Sequence, residues 1–276
     1  MSISTTSDNI TPHFIQNVDA NALEQKVKKM YKDVAERPKD EFHFEMGREM
    51  AERLGYPAET LDTIPADAID SFAGVGYYFH YANLQEGESV VDLGSGSGMD
   101  TFFAARKVGK TGSVVGIDMT DEQLSKANTL RDSSDLSNVS YTKSYIQDTP
   151  CESENFDVVI SNGVVNLAPN KVDVFKEAAR LLKPGGRLAL ADIVTETRLP
   201  EGITCNATLW AACIGGALQQ DDYLDSIREA GFIIEQVRDN PEYHFISDSA
   251  QGATKTYGVK SISVLARKPD SSYSRI

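Results

Sequence analysis

The stretch that decides the fold is Val90-Val91-Asp92-Leu93-Gly94-Ser95-Gly96-Ser97-Gly98-Met99-Asp100, followed directly by Thr101-Phe102-Phe103-Ala104-Ala105-Arg106-Lys107-Val108. Two β-branched residues lead into alternating glycines and then into an amphipathic run, which predicts a buried strand, a tight turn and a helix. Glycine lets a ligand approach the backbone closely, and the start of a helix adds N–H groups that face it. The sequence therefore predicts a nucleotide-binding turn.

The spacing of the glycines indicates which nucleotide. A dinucleotide-binding turn has the pattern G-x-G-x-x-G, with its last glycine three residues after the second. Here that position holds Met99, and the third glycine comes early, at Gly98. The pattern D-x-G-x-G-x-G formed by Asp92, Gly94, Gly96 and Gly98 resembles instead the first motif of class I S-adenosylmethionine (SAM) methyltransferases.

An acidic residue ends the next apolar run, Ser113-Val114-Val115-Gly116-Ile117-Asp118. At the tip of a second strand, a carboxylate can accept hydrogen bonds from both ribose hydroxyls of an adenosine. The alternative is structural, because Thr120 and Asp121 open the next predicted helix and an acid suits a helix N-terminus. We expect Asp118 to bind the ribose, since the glycine motif precedes it.

Composition limits the partners of this chain. The 276 residues, 41% of them hydrophobic, allow one core of roughly 200 to 250 residues plus an appendage. With 27 Lys and Arg against 41 Asp and Glu, the net charge is −14 and no basic stripe is present. We therefore expect no nucleic-acid partner, and either a monomer or a homodimer.

The sequence shows no sign of secretion or of a zinc site. No stretch approaches a membrane span, and the first nine residues lack the basic and apolar regions of a signal peptide. Cys151, Cys205 and Cys213 form no C-x-x-C pair, which argues against a disulfide framework and against a zinc ribbon. We expect a cytoplasmic protein without a membrane partner.

The chain divides into three predicted parts. Residues 1–18 are expected to be a flexible N-terminus, and residues 19–84 a helical cap with a substrate-side loop. Residues 85–276 form the core, with an insertion at about 197–219. After the first strand, alternating elements predict a mainly parallel sheet with helices on both faces: strands 113–118, 139–145, 156–161, 187–194, 233–237 and 261–266, and helices 121–134, 171–182 and 222–230. In the cap, helices are predicted from Ala20 to about Arg37 and from about Glu41 to Leu54.

The segment from Ile64 to His80 has two glycines among many ring-bearing side chains and fits no regular element. Such a loop can form the wall of a pocket for a small apolar substrate or a cation. It can equally be a buried connector, and both interpretations stay open here. Tyr77 and Tyr78 are its candidate substrate-binding residues.

Several motifs together resemble the arsenite methyltransferase family over about residues 60–220. They are Pro65 to Gly76, Asp92 to Gly98, Gly116 to Met119, Ser161-Asn162-Gly163-Val164-Val165-Asn166-Leu167, the turn Lys183 to Gly186, and Cys213-Ile214-Gly215-Gly216-Ala217. The resemblance implies a class I SAM methyltransferase: a Rossmann-like, seven-stranded, mostly parallel sheet whose last strand is antiparallel, with an N-terminal helical cap.

The resemblance also implies a set of cofactor-binding residues. These are Tyr31, which would lie in a helix over the cofactor, and Asp92, Gly94, Ser95, Gly96, Gly98, Asp118, Met119, Tyr145, Ile146 and Asn162. The sulfonium of SAM already carries an activated methyl group, so no metal is required. His80 and His244, each beside aromatic residues, are the candidate bases because imidazole titrates near neutrality.

One departure from the family concerns the acceptor. Family members carry a cysteine where this chain has Gly163, whereas a second family cysteine is kept as Cys213. Trivalent arsenic is a soft ion that several thiolates bind far better than one. We therefore expect a SAM-dependent enzyme for another small-molecule acceptor, bound near Gly163 and Cys213. An arsenite methyltransferase is the first alternative, and a non-catalytic SAM-binding protein or an NAD enzyme with an irregular turn are others.

Overall fold

The computed structural model describes residues 20–200, 203 and 214–270. Its strands are β1 Ser89–Leu93, β2 Ser113–Asp118, β3 Val139–Lys143, β4 Phe156–Asn162, β5 Leu182–Val194, β6 Ile233–Asp239 and β7 Lys260–Arg267. They form one sheet in the order β3-β2-β1-β4-β5-β7-β6. β1 to β5 pair in parallel, and β7 runs antiparallel to both β5 and β6. The predicted seven-stranded sheet with an antiparallel last strand is confirmed.

Helices cover both faces of this sheet. They are α1 Ala20–Glu36, α2 Arg48–Leu54, α3 Ala58–Leu61, α4 Ala66–Asp70, α5 Phe79–Ala82, α6 Met99–Val108, α7 Asp121–Asp132, α8 Lys171–Leu181, α9 Gln220–Glu229 and α10 Asp248–Tyr257. Successive strand residues point to opposite faces, so Val158 packs with Phe102 and Phe103 of α6 while Val159 packs with Phe175 of α8. Within the described ranges, no helix is long and apolar enough to cross a membrane.

The structure differs from the sequence prediction in the cap and near the C-terminus. α2 begins at Arg48 rather than near Glu41, because Gly47 just before it has a left-handed φ of 87° that a helix does not accommodate. The ring-rich segment is largely a buried connector that contains α4 and α5, with Phe72, Tyr78 and Phe79 all buried. α10 was not predicted, since only two alanines of this polar helix are buried.

Parts of the prediction fall outside the described residues. The expected flexible N-terminus at residues 1–18 is one of them. Cys205, Cys213 and most of the expected insertion at 197–219 also lie outside.

A buried carboxylate ties β5 to two elements on one face of the sheet. Asp192 accepts hydrogen bonds from the Asn166 backbone (3.1 Å), the Asn166 amide (2.8 Å), the Ile193 backbone (2.8 Å) and the Tyr223 hydroxyl (3.0 Å). Burial raises the pKa of Asp192 to about 6, although these hydrogen bonds oppose the shift. This pKa exceeds that of an aspartate in the unfolded chain. The protonated carboxyl of Asp192 therefore stabilises the fold at low pH, and this stabilisation is lost as the pH rises through about 6.

We expect Tyr223→Phe to destabilise the fold more at pH 8 than at pH 5. At pH 8 the variant loses a hydrogen bond to a charged carboxylate, worth about 1.5 to 3 kcal/mol, and at pH 5 one to a protonated group, worth about 0.5 to 1.5 kcal/mol. Urea unfolding at both pH values measures the difference. Tyr257→Phe is the control, because Tyr257 lies half-buried at the end of α10. Its free energy of unfolding should fall by the same amount at pH 5 and at pH 8. Equal losses in Tyr223→Phe would contradict an ionised Asp192 above pH 6.

Candidate functional site

The carboxyl ends of β1, β2 and β4 open into one cavity, whose other walls include α1, residues 71–74 and 144–147, Gln123 of α7 and residues 167–169. Ten of the eleven residues predicted to bind the cofactor line this cavity: Tyr31, Asp92, Gly94, Ser95, Gly96, Asp118, Met119, Tyr145, Ile146 and Asn162. The structure thus brings together residues that are up to 131 positions apart, from Tyr31 to Asn162. Their direct contact with a cofactor stays a prediction.

The glycines of the turn after β1 have different structural roles. At Gly96, where φ is 53°, an added Cβ would meet no protein atom closer than the Gln123 side chain at 3.6 Å. The space beside Gly96 is therefore part of the cavity. Gly98, which was also predicted to bind the cofactor, is the N-cap residue of α6 and is not in the cavity lining, and a Cβ there would collide with the hydroxyl of Tyr141.

Asp118, at the end of β2, has the structural role considered from the sequence, and its ribose-binding role stays a prediction. Its carboxylate accepts the Gly96 N–H (2.9 Å) and the Thr120 N–H (2.8 Å), and so orders the glycine turn and the start of α7. Burial raises the pKa of Asp118, and these backbone hydrogen bonds oppose the shift. A carboxylate has about four lone-pair sites, which leaves acceptor capacity on the cavity side for the hydroxyls of a ribose.

One polar atom in a residue of the cavity wall lacks a hydrogen-bond partner within the described part of the chain. The hydroxyl oxygen of Ser95 is buried in the wall, and Ser95 is only 8% exposed. Buried polar groups are normally hydrogen-bonded. The Ser95 oxygen has almost no exposed surface and lies close to Gly116 of β2, so it faces the protein beneath the turn. The open space at Gly96 and the remaining acceptor capacity of Asp118 are the features that fit the adenosine of SAM.

α1 forms the cover of the cavity. Leu23 and Val27 are buried in a small cluster with Tyr31, Met119 and Leu167, separate from the two cores of the sheet. The sequence analysis named Tyr31 alone on this helix. The spacing of Leu23, Val27 and Tyr31 places all three on one helix face, and this periodicity could have identified the other two.

Polar contacts fasten α1 across the cavity. The Glu24 carboxylate accepts hydrogen bonds from the Tyr145 hydroxyl (2.7 Å) and from Lys28 (2.6 Å). The Gln123 amide of α7 donates to the Tyr31 carbonyl (2.7 Å). The helix therefore contacts the segment after β3 and the helix after β2, and both of these elements also line the cavity.

The two candidate bases lie elsewhere. His80 is exposed in the short helix α5 and stacks on Tyr77 with ring centroids 5.5 Å apart. Partial burial and the nearby Arg238 lower the pKa of His80. His244 is exposed in the segment between β6 and α10. Neither histidine lines the cavity, so the structure does not place them for proton transfer there.

The three candidate substrate-binding residues that the structure describes, Tyr77, Tyr78 and Gly163, are not in the cavity lining either. Tyr77 is half-buried beside His80, and Tyr78 is fully buried with its hydroxyl on Asp100. Gly163 has a φ of 71°, and a Cβ there would lie 3.3 Å from the side chain of Val75. Cys213 lies outside the described residues. Aromatic composition was a poor guide here, because the rings fill the core.

Asp100 is a cavity residue to which the sequence analysis gave no role. Its carboxylate accepts hydrogen bonds from the Tyr56 hydroxyl (2.7 Å), the Tyr78 hydroxyl (2.8 Å) and the Asn162 amide (3.0 Å). Burial raises the pKa of Asp100, and these three hydrogen bonds oppose the shift. Its partners are 22 to 62 residues away in the chain, so no local motif could reveal the cluster.

Asn162 also holds the strap, which we define as residues 73–76. The Asn162 amide oxygen accepts the Val75 N–H (2.7 Å), and its amide nitrogen donates to the Gly76 carbonyl (3.0 Å). The Ser261 hydroxyl donates to the Val75 carbonyl (2.6 Å) from β7. The strap is thereby fixed across the ends of β4 and β7, where it closes one side of the cavity.

This sheet, with the glycine turn at the end of β1, defines the fold of the class I SAM-dependent methyltransferases. Residues 84–231 match the family model described as "Methyltransferase domain", and the chain belongs to that family. The motif-level resemblance to arsenite methyltransferases is confirmed by the relatives that follow.

Two similar curated proteins are arsenite methyltransferases. The one from Halobacterium salinarum is 39% identical over 220 residues, which is 79% of this chain and 56% of the relative. The one from Aquipseudomonas alcaligenes is 42% identical over 175 residues, 60% of this chain and 50% of the relative. The chain thus spans about half the length of these curated relatives.

A similar solved structure is that of an arsenic(III) SAM methyltransferase from Chlamydomonas reinhardtii. It is 29% identical in sequence and superposes with a TM-score of 0.59. The match covers 81% of this chain and 74% of that chain. It therefore extends over most of both proteins.

We expect Gly96→Ala to weaken SAM binding strongly, because the new methyl group would occupy the space beside the turn. Gly231→Ala is the matched control: Gly231 has a φ of 93°, lies after α9 away from the cavity, and has no atom within 4 Å of an added Cβ. Both glycines have a positive φ, so alanine adds backbone strain at either position, of order 1 kcal/mol or more. Isothermal titration calorimetry should show weaker SAM binding in Gly96→Ala only. Equal SAM affinities in the two variants would contradict the prediction that SAM binds beside Gly96.

We expect Asp118→Ala to weaken SAM binding by about 1.5 to 3 kcal/mol, the range for hydrogen bonds to a charged group. Asp121→Ala removes a carboxylate three residues away, on the exposed side of α7, that pairs with Lys143. The same titration should leave the affinity of this control unchanged. Circular dichroism checks that both variants fold, and an unchanged affinity in a folded Asp118→Ala would exclude the ribose role.

Proposed function

We propose that this chain transfers the methyl group of SAM to trivalent arsenic. The observation that carries the proposal is the 39% identity to the Halobacterium salinarum arsenite methyltransferase over 220 residues. This alignment is longer than the methyltransferase domain at residues 84–231. The similarity therefore includes sequence outside residues 84–231, the domain that methyltransferases in general share. We expect residues outside that shared domain to contribute to acceptor specificity.

The chemistry of this acceptor agrees with the placement of the histidines. SAM supplies an activated methyl group, so the protein has to bind, shield and orient the two reactants. The lone pair of arsenic(III) is itself the nucleophile and has no proton to lose. Such an acceptor does not require His80 or His244, both of which lie away from the cavity. Asp118 and the glycine turn would hold the donor, while α1 covers it.

The thiolates that hold arsenic must come from a limited set of sources. Cys151 is half-buried beside the core that contains Phe175, outside the cavity lining, and burial raises the pKa of its thiol. It is therefore a poor ligand. Cys213, Cys205 or a small thiol that carries the arsenite would supply the sulfur.

A second candidate, a small acceptor without a metalloid, is favoured by one observation. A side chain at Gly163 would point toward Val75 and the Ala73 carbonyl of the strap. The position where the resembled family has a cysteine thus faces an apolar neighbour in this chain. A non-metalloid acceptor would need no thiolate there.

An arsenite methylation assay separates the two candidates. Purified protein with SAM, arsenite and glutathione should form S-adenosylhomocysteine (SAH) and methylated arsenic, both quantified by mass spectrometry. We expect the arsenite-dependent rate to fall in Cys213→Ser by about tenfold or more, a loss of roughly 1.4 kcal/mol or more, because a soft ion loses a sulfur ligand.

Cys151→Ser is the matched control and should keep the rate. A protein that binds SAM but shows no arsenite-dependent turnover would refute the arsenic proposal. Turnover in a parallel screen of thiols, phenols and amines would then support the second candidate.

A further inference from the structure

Asp100 is a carboxylate buried in the wall of the SAM cavity and surrounded by neutral donors. Asp100 is 5% exposed, and its two phenol partners are more deeply buried, Tyr56 at 2% and Tyr78 at 0%. Both phenols and the Asn162 amide direct N–H or O–H groups at its two oxygens. Hydrogen bonds of this kind favour the ionised form of a carboxylate.

The charge of Asp100 is not balanced by a basic group in the cavity wall. Among the described residues that line the cavity, the charged side chains are Glu24, Asp92, Asp100 and Asp118, and none is Lys, Arg or His. Glu24 is paired with Lys28 outside the lining. A buried carboxylate without a cationic partner is costly, so a cationic ligand would stabilise Asp100.

Asp92 lies in the same wall but is held differently. Its side chain accepts one hydrogen bond, from the Thr101 hydroxyl at 2.6 Å. Burial raises the pKa of Asp92 well above its ordinary value, and the charge of Asp100 raises it further. Of these two neighbouring carboxylates, Asp100 has the three donors and is the better site for a negative charge.

Methyl transfer changes the charge of the ligand in this cavity. SAM has a positive sulfonium, a positive ammonium and a negative carboxylate. When the S–CH₃ bond breaks, its electron pair stays on sulfur, and SAH is left with a neutral thioether. The donor therefore carries one positive charge more than the product.

We propose that Asp100, held by Tyr56, Tyr78 and Asn162, makes this cavity select SAM over SAH through attraction to the positive charge of the donor. The attraction weakens once the methyl group has left, so the product dissociates more readily than the donor. Asp100 acts on ligand selectivity and takes no part in bond making. The inference concerns the binding of SAM and SAH and does not depend on the methyl acceptor. A negative arsenite methylation assay would therefore not contradict it.

Calorimetric titration of SAM and SAH into wild type and Asp100→Asn tests the inference. We expect wild type to bind SAM more tightly than SAH. In Asp100→Asn the ratio Kd(SAH)/Kd(SAM) should fall by about tenfold, mostly through weaker SAM binding. Asp118→Ala is the matched control, because the ribose is common to both ligands: both dissociation constants should rise by a similar factor and their ratio should stay unchanged.

Two further measurements keep the test decisive if Asp100→Asn does not fold. Tyr56→Phe/Tyr78→Phe keeps the carboxylate but removes two of its three donors, and should lower the same ratio. Wild type should also bind sinefungin, which carries an ammonium group in place of the methylsulfonium, more tightly than SAH. Equal binding of SAM and SAH by wild type, or an unchanged ratio in a folded variant at Asp100, would overturn the inference.

Discussion

The side-chain amide of Asn162 is the contact on which the site depends most. It lies at the end of β4, where its oxygen accepts from the strap and its nitrogen donates both to the strap and to Asp100. One side chain thus connects the sheet, the segment that precedes the sheet in the chain, and the first turn of α6. Polar networks of this kind are rigid when every donor and acceptor has a hydrogen-bond partner. The hydrogen bonds of Asn162 therefore hold this part of the cavity wall in place.

The sequence predicted the parts of the molecule that local patterns determine. The turn from Asp92 to Gly98, the strand that ends at Asp118 and the alternation of strands and helices all rest on spacings within about 30 residues. Such spacings reflect backbone geometry and burial directly. Right-handed parallel connections restrict the possible strand orders, and the resemblance to a known family supplied the rest of the fold and the candidate cofactor residues.

The acceptor side was not predictable in the same way. His80, His244 and Tyr77 were chosen by residue type, and the structure places them outside the cavity lining. The cluster at Asp100 is formed by Tyr56 and Tyr78 from distant elements. Neither the exposure of a histidine nor the pairing of a buried acid is encoded in local spacing, because both depend on how the cap packs onto the sheet.

The attachment of α1 has a consequence for how ligands enter and leave. Its C-terminal end is anchored in the protein, where the carbonyls of Val34 and Ala35 accept from Ser71 and Lys126. The half that covers the cavity is held by the buried side chains of Leu23 and Val27 and by an exposed hydrogen bond from the Tyr145 hydroxyl to Glu24. Exposed polar contacts of this kind are weak and screened by salt. The two ends of α1 are thus attached differently, and salt that screens the polar contacts of its N-terminal half acts on the part of the helix that a ligand must pass.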